Sequence, residues 1–363
     1  MRIQVARSSM PDFAAYCEEI RPLWESHWLT NNGEKALALE AALRETLQTP
    51  NVVLFANGHL ALEAAIRAMG ITGEAITTPF TFISTTHALV RCGVTPVFAE
   101  VKPGDLTLDP SAIERLITER TTAIVPVHVY GGFCDVDAIE RIAVKHGLQV
   151  LYDAAHAFGA TLGGQTASAF GDAQMYSFHA TKVFHTVEGG AVACKSAELA
   201  AALRLERNFG ITGPEETVSV GGNAKMNEFQ AAMGLCNLRA LQGELAKRRA
   251  VATRYRNRLG GVPGLRLLPT HDGDNFAYLP VLFEGFRLTR DAAFVLLASH
   301  DVFARKYFYP LTSAMACYAG RFDPAQTPVA LAASQHVMTL PLYADLALAD
   351  VDRICDILLE ARL

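Results

Sequence analysis

The chain has 363 residues, which suggests two domains at roughly 150 residues each. Half of its residues are hydrophobic and 19% are charged, which is the balance of a globular protein with a sizeable core. The formal net charge of -5 argues against a surface built to bind nucleic acid, so no nucleic-acid partner is expected.

Apolar runs alternate with segments of helical periodicity from about residue 50 onward. The short apolar runs predict strands, and the longer segments predict helices. Asp109 followed by Pro110 is typical of the start of a further helix. We predict strands over 52–56, 75–78, 95–100, 122–129, 148–152, 173–178, 190–194, 277–283 and 337–340, and helices over 60–69, 136–144, 228–259, 291–299 and 349–363.

This alternation determines the predicted architecture. Strands separated by helices need crossover connections, and these give a mostly parallel sheet covered by helices on both faces. We therefore predict an α/β fold with a large domain over 1–240 and a smaller C-terminal α+β domain over 241–363. The segment 1–45 carries both tryptophans, Trp24 and Trp28, and is expected to pack against the large domain or a partner subunit.

The seven cysteines are scattered and form no C-x-x-C pair, which argues against both a zinc site and a disulfide framework. They are interpreted as small buried residues of a protein in a reducing compartment. The first residues lack an apolar stretch of signal-peptide length, and no uncharged apolar segment reaches the roughly 18 residues of a membrane span. A cytoplasmic protein without a metal or a membrane partner is expected.

Ligands of open α/β sheets bind beyond the carboxyl ends of the strands, so residues directly after the predicted strands are candidates for a site. Gly58 and His59 follow the strand over 52–56, where a glycine and a helix N-terminus suit a phosphate group. An ordinary strand-to-helix turn is the alternative. Phe82 comes shortly after the strand over 75–78 and could stack on a flat ring, although a core position would also explain it.

Two charged residues follow later strands. Asp153 ends an apolar run, where a carboxylate is costly unless it is paired; a pyridinium nitrogen would be one partner, and a helix cap is the alternative. Lys182 lies in a segment otherwise free of charge, where a desolvated lysine could attack an aldehyde; a surface lysine is the alternative. Ser177, just before it, offers a hydroxyl for phosphate. In combination these residues predict a pyridoxal-phosphate (PLP) site.

Together these residues resemble those of the DegT/StrS-type nucleotide-sugar aminotransferases, which belong to the fold-type I PLP enzymes. The resemblance extends over nearly the whole chain, and the run Ser-Phe-His-Ala-Thr-Lys followed by Glu-Gly-Gly is its most specific part. Its other stretches are 28–33, 57–59, 77–82, 152–159 and 222–228.

The resemblance implies a role for each candidate. Lys182 would form the Schiff base with the cofactor and later move a proton between carbon atoms, and Asp153 would pair with the ring nitrogen. The family's homodimer shares its active sites between subunits. The remaining implied contacts are Phe82 and His156 with the ring, Gly58, His59 and Ser177 with the phosphate, and Asn223 with the phosphate in the neighbouring subunit. Relatives often have threonine at position 59 and glutamine at position 156.

The substrate implied is a nucleotide-linked keto-sugar, with glutamate as the amino donor. The stretches 24–33 and 307–310 resemble the subgroup that acts at C4 of dTDP-4-keto-6-deoxyglucose. Candidate substrate contacts are Asn31, His185, Arg305 and Tyr309. A C3 aminotransferase of dTDP-3-keto sugars and a C4 enzyme for GDP or UDP sugars are the alternatives. A PLP-binding regulatory protein without turnover is the alternative from another class, and a dinucleotide-binding dehydrogenase ranks last because G-x-G-x-x-G is missing after the first strand.

Overall fold

The computed structural model describes residues 2–360. Its helices are α1 (Phe13–Ile20), α2 (Leu23–Ser26), α3 (Glu34–Thr46), α4 (Gly58–Ala68), α5 (Ile83–Arg91), α6 (Val136–His146), α7 (Ala197–Arg207), α8 (Glu228–Leu259), α9 (Arg290–Ser299), α10 (Pro328–His336) and α11 (Leu348–Glu360). Its strands are β1 (Ile3–Gln4), β2 (Asn51–Phe55), β3 (Glu74–Thr77), β4 (Thr95–Phe98), β5 (Thr121–Ile124), β6 (Gln149–Asp153), β7 (Thr161–Leu162), β8 (Gln165–Thr166), β9 (Ala173–Ser177), β10 (Gly190–Cys194), β11 (Ile211–Gly213), β12 (Glu216–Thr217), β13 (Leu265–Leu267), β14 (Leu279–Phe283), β15 (Val302–Phe303) and β16 (Val337–Leu340).

A seven-stranded sheet forms the centre of the molecule, in the order β2-β10-β9-β6-β5-β3-β4. Only β10 runs antiparallel to its neighbours, so the predicted mostly parallel α/β sheet is confirmed. Because β10 separates β2 from β9, these two strands run in the same direction. The carboxyl ends of β2, β3, β6 and β9 therefore meet at one edge of the sheet.

Both faces of this sheet are covered, which explains why its strands are continuous apolar runs. In β2, Val53 and Phe55 pack in the same core as Leu62 of α4. The alternate residues Val52 and Leu54 pack on the other face, in the core that contains Leu39 of α3. Burying each such side chain contributes about 1.5–3 kcal/mol. The helix α4 is thereby fixed with its N-terminus at the edge where the strands end.

The N-terminal segment is attached to the large sheet region through Glu228, the first residue of α8. Its buried carboxylate accepts hydrogen bonds from the backbone N–H groups of Lys35 (2.7 Å) and Ala36 (3.1 Å), which caps the start of α3. A Cβ at Gly33 would lie 2.5 Å from the Glu228 carboxyl carbon, so this contact needs a glycine. Trp24 packs edge-on against Phe229 at 5.9 Å.

The C-terminal part has a core of its own. The antiparallel strands β13, β14 and β16 pack with the end of α8, with α9 and with α11, and the shared core includes Tyr255, Val281, Leu297 and Ile354. The helix α8 runs without interruption across residue 240, where we predicted the domain boundary. The division into 1–240 and 241–363 stays a prediction.

Three element predictions need correction. The strand predicted over 122–129 ends at Ile124, shortly before Pro126, which has no N–H to donate to a ladder. Asp109 caps only a short 3-10 turn, Pro110–Ala112. The helices α1, α2, α3, α5, α7 and α10 were not predicted. The last helix is described to Glu360, and residues 361–363 of its predicted range lie outside the described residues.

Candidate active site

A cavity of about 660 Å³ lies at the carboxyl edge of the large sheet. It is closed on one side by the ends of the strands and the first turns of α4 and α5, and on the other by the C-terminal part. Seven residues predicted for the site line this one cavity, namely Gly58, His59, Phe82, Asp153, His156, Ser177 and Lys182.

Lys182 follows β9 after a tight turn, in which its backbone N–H donates to the carbonyl of His179 (2.9 Å). The residue is partly exposed and lines the cavity, and its Nζ lies 6.0 Å from the centre of the Tyr278 ring. Burial lowers the pKa of the Lys182 amine to about 8, although the charge of Asp153 acts in the opposite direction. A substantial fraction of this amine is neutral near pH 8, which is the form that attacks a carbonyl carbon.

Asp153 is the last residue of β6 and is only 4% exposed. Its Oδ2 accepts a hydrogen bond from the hydroxyl of Thr85 (2.7 Å), and its Oδ1 accepts one from the backbone N–H of Ala155 (3.1 Å). Burial raises the pKa of the Asp153 carboxyl, and these hydrogen bonds and the charge of Lys182 offset only part of that effect. A cation beside Asp153 would therefore be strongly favoured.

His156 is buried beside Asp153 and lies nearly parallel to the ring of Phe308 at 5.7 Å. Its Nδ1 accepts a hydrogen bond from the backbone N–H of Tyr130 (3.3 Å). Burial, assisted by the charge of Lys182, holds the pKa of the His156 imidazole well below its ordinary value. The ring is therefore neutral at pH 7, with its proton on Nε2.

The first turn of α4 forms the other end of the cavity. Asn57 caps this helix by accepting a hydrogen bond from the N–H of Leu60 (2.9 Å). A Cβ on Gly58 would lie 2.9 Å from the Cβ of Ser177, so only a glycine lets the helix start this close to β9. The helix N-terminus and the hydroxyls of Ser177 and Ser84 together suit an anion such as a phosphate.

Phe82 lies at the N-cap of α5 and is 53% exposed, so it is not a core residue. Because it lines the same cavity as Asp153 and Gly58, its ring is available to a flat ligand.

Five residues predicted to bind substrate or the partner's cofactor do not line the cavity of their own chain. Asn31 lies on the surface, and His185 is buried with its Nε2–H directed at the carbonyl of Ser9 (2.5 Å). Arg305 pairs through its backbone with Thr339, and Tyr309 lies under the guanidinium of Arg290 (4.6 Å). Asn223 accepts a hydrogen bond from Lys225 (2.7 Å). Their binding roles stay predictions.

Two hydroxyl residues of α5 that contact the site residues were not predicted from the sequence. Thr85 orients Asp153, and Ser84 contacts the ring of His59 (2.8 Å). A signal was present, because both belong to a Thr-Phe-Ile-Ser-Thr segment directly after a strand end, where a helix start presents side chains to a ligand. It was missed because this helix was not predicted.

Two searches of the described residues bear on other classes of site. Within residues 2–360, no three His, Cys, Asp or Glu side chains are grouped as a metal ligand set would be. In the same range, no helix combines the length and the apolar character that crossing a membrane would need.

Comparison with known proteins connects this site to a family. The profile of the DegT/DnrJ/EryC1/StrS aminotransferase family matches residues 13–359. The dTDP-4-amino-4,6-dideoxy-D-glucose transaminase of Escherichia coli is 38% identical, over 98% of both chains. The GDP-perosamine synthase of Caulobacter vibrioides is 34% identical over 91% of both chains.

Solved structures give the same relationship. DesI, crystallised in the presence of its TDP-sugar product, superposes with a TM-score of 0.93 at 34% identity and covers 98% of this chain and 92% of its own. Spr1654 from Streptococcus pneumoniae, solved in a PLP form, has a TM-score of 0.92 at 26% identity, with 98% of this chain and 97% of its own covered.

Proposed function

Because the chain belongs to the DegT/DnrJ/EryC1/StrS aminotransferase family, we propose that it transfers the amino group of glutamate to C4 of dTDP-4-keto-6-deoxyglucose. The product would be dTDP-4-amino-4,6-dideoxyglucose. The observation that carries this proposal is the placement of Lys182, a desolvated amine, in one cavity with the buried carboxylate of Asp153 and an anion-binding turn at Gly58.

The residues of the cavity fit pyridoxal phosphate. The phosphate would lie at the first turn of α4, where Gly58, His59 and Ser177 line the cavity; a Cβ at residue 58 would meet Ser177 at 2.9 Å and displace this turn. Phe82 would cover the ring, and Asp153 would accept a hydrogen bond from the ring nitrogen. When bound, PLP supplies an electron-withdrawing ring that stores the charge released when a bond to the amino acid's α-carbon breaks. The PLP form of the Streptococcus pneumoniae relative supports this choice of cofactor.

Lys182 would act twice, first as the group that binds the cofactor covalently and then as the carrier of a proton. Its lowered pKa would let the amine remove a proton from the α-carbon of glutamate near neutral pH in the first half of the reaction. In the second half, with the keto-sugar bound, Lys182 would deliver a proton to C4 of the sugar. Asp153 would keep the ring nitrogen protonated, because Thr85 and the backbone of Ala155 hold its carboxylate in a desolvated position. His156 would donate from Nε2 toward the ring or its hydroxyl without changing charge.

Part of the cavity wall is apolar and supports a 6-deoxy sugar. This wall consists of Val5, Ala6, Leu340 and Leu342, and the N–H of Leu342 donates a hydrogen bond to the carbonyl of Val5 (3.1 Å). A methyl group at C6 could lie against such a wall, whereas a hydroxymethyl group would lose hydrogen bonds to water there.

The test is product identification with a panel of keto-sugars. Purified protein is incubated with PLP, 15N-glutamate and dTDP-4-keto-6-deoxyglucose, a dTDP-3-keto-6-deoxy sugar, or the GDP and UDP 4-keto sugars. We expect mass spectrometry and NMR to find 15N on C4 of the dTDP sugar. Label on C3, or label only on a GDP or UDP sugar, would overturn the substrate. Failure to transfer label to any sugar would favour the regulatory alternative.

Amination of a GDP-linked 4-keto sugar is the second candidate, because the GDP-perosamine synthase of Caulobacter vibrioides is 34% identical over nearly the same length. The two candidates share the chemistry at C4 and differ in the nucleotide. The ratio of kcat/KM for the two nucleotide sugars, measured with one protein preparation, decides between them.

We also propose a homodimer in which each active site is completed by the partner. Phe13, Trp28 and Val220 are 80%, 58% and 94% exposed, and a partner subunit would cover such apolar side chains. Asn223 lies outside its own chain's cavity, in the same exposed segment as Val220. At a limiting PLP concentration, where Asn223→Ala alone is inactive, a mixture of Lys182→Ala and Asn223→Ala chains should recover about a quarter of wild-type activity, since half of the random dimers carry one intact site. No recovery after subunit exchange would contradict shared sites.

A further inference from the structure

Both ring nitrogens of His59 are engaged at the phosphate end of the cavity. Nδ1 lies 2.8 Å from the hydroxyl of Ser84 on α5, and Nε2 lies 3.0 Å from Oε1 of Glu63, one turn further along α4. His59 and Ser84 both line the cavity, whereas Glu63 is buried behind them. Three side chains therefore form a chain of contacts from the protein interior to the place proposed for a phosphate.

Glu63 determines which nitrogen of His59 carries the proton. Its carboxylate binds Arg67 (2.8 Å) and Arg91, so it is an anion. Burial alone would raise the pKa of this carboxyl, but hydrogen bonds from Arg91 and Arg67 lower it below its ordinary value. An ionised carboxylate only accepts hydrogen bonds, so Nε2 of His59 must donate to it.

The direction of the next hydrogen bond then depends on the charge of His59. In the neutral ring, Nδ1 has only a lone pair, so the Ser84 hydroxyl donates to it and presents its own lone pairs to the cavity. In the protonated ring, Nδ1–H donates to Ser84, and the serine proton is free to point into the cavity. Only the second arrangement offers a donor to a phosphate oxygen.

We infer that His59 and Ser84 couple the binding of a phosphate group in this cavity to the uptake of one proton by the protein. The inference rests on the proposed function only in taking this group to be the phosphate of the cofactor. His59 is a positioning residue, because it acts on the phosphate through Ser84.

The groups around His59 agree with a ring that is neutral when the cavity holds no anion. Burial lowers the pKa of His59, the charge of Glu63 on its own helix raises it, and the charges of Arg91 and His87 on α5 lower it, with a net decrease. An arriving phosphate dianion adds a second negative charge and favours the protonated ring. Proton uptake is therefore expected near neutral pH.

The test measures binding of pyridoxamine 5′-phosphate to the apoprotein, because this compound has no aldehyde and cannot react with Lys182. Calorimetry in two buffers of different ionisation enthalpy at pH 7.5 gives the number of protons taken up. On binding, wild type should take up at most about one proton more than His59→Ala. We also expect its affinity, relative to that of His59→Ala, to rise by up to about tenfold for each unit of decreasing pH in the window of uptake.

Two further variants make the result specific. Ser84→Ala should lose most of its affinity at low pH and little at high pH, where the hydroxyl already donates to His59. His146→Ala, which removes an exposed histidine of α6 outside the chain of contacts, should keep the wild-type pH profile. Equal proton uptake and parallel pH profiles in wild type and His59→Ala would overturn the inference. If pyridoxamine 5′-phosphate bound to none of these proteins, the proposed cofactor itself would be wrong.

Discussion

The two ends of the cavity use burial in different ways. Burial is the largest cause of the pKa shifts of Asp153, His156 and Lys182. It raises the pKa of Asp153 and lowers the pKa values of His156 and Lys182. At the other end, burial also lowers the pKa of His59, but the carboxylate of Glu63 keeps a proton on Nε2, and the hydroxyl of Ser84 turns with the charge of the ring. The first arrangement creates reactive groups, and the second creates donors aimed at a ligand.

This difference separates two kinds of defect. Substitutions at the buried end should lower turnover while the cofactor still binds, because they remove groups that move a proton or hold charge. Substitutions at the helix end should weaken cofactor binding and leave turnover nearly normal once the cofactor is saturating. Each of the following variants tests whether the two kinds of defect are separate.

The largest effect is expected for Lys182→Ala. Loss of both covalent attachment and proton transfer should lower kcat by about 10⁴-fold or more and remove the visible absorption of the covalently bound cofactor. Binding of pyridoxamine 5′-phosphate should persist. Lys182→Arg should be equally inactive because its guanidinium stays protonated, and exposed Lys145→Ala serves as the active control. Normal turnover in Lys182→Ala would end the assignment.

Asp153→Asn should come next, with kcat lowered about 10²- to 10³-fold at saturating PLP, because a neutral amide cannot favour a protonated ring nitrogen. Thr85→Val leaves the carboxylate in place and removes only the hydroxyl that orients it, so it should cost about tenfold. Steady-state kinetics at several PLP concentrations measure both variants. An Asp153→Asn protein with normal kcat and a raised KM for PLP would place Asp153 with the binding residues instead.

The sequence predicted the buried end better than its surroundings, for a physical reason. Asp153 and Lys182 are charged residues directly after apolar strands, and the parallel sheet brings all such strand ends to one edge. Thr85 and Ser84 were missed because hydroxyl residues are common in loops and signal a site only once α5 is recognised. Asn31, Arg305 and Tyr309 lie away from the cavity of one chain, and no pattern within a single chain tells which surfaces a second copy brings together.

Gly58→Ala tests the helix end. The added Cβ would lie 2.9 Å from that of Ser177, so the first turn of α4 must move away from β9. Overpacking of about 1–3 kcal/mol should weaken PLP binding about 10- to 100-fold, with kcat recovered at saturating cofactor. Gly104→Ala, where the new Cβ meets nothing within 4 Å, is the matched control. A lowered kcat at saturation would mean that the two ends are not separable.

The smallest effect concerns the stability of the apoprotein, which the buried amine of Lys182 should lower. A Lys182 amine with a pKa of about 8 takes up fewer protons than the same amine in the unfolded chain, whose pKa is about 10.4. Below about pH 8 the folded protein is destabilised by the full cost of burying the charged amine. This cost decreases progressively between about pH 8 and about pH 10.4, so the contribution of Lys182 to the free energy of unfolding rises with pH. Lys182→Met should raise the free energy of unfolding at pH 7 by about 1–2 kcal/mol, a value reduced because solvent reaches the cavity.

Denaturant unfolding of the wild-type and Lys182→Met apoproteins should give free energies of unfolding that converge toward pH 10, whereas Lys145→Met should follow wild type at every pH. If Lys182→Met were no more stable than wild type at pH 7, desolvation could not be the source of the lysine's reactivity, and the contrast between the two ends would fail at its buried side.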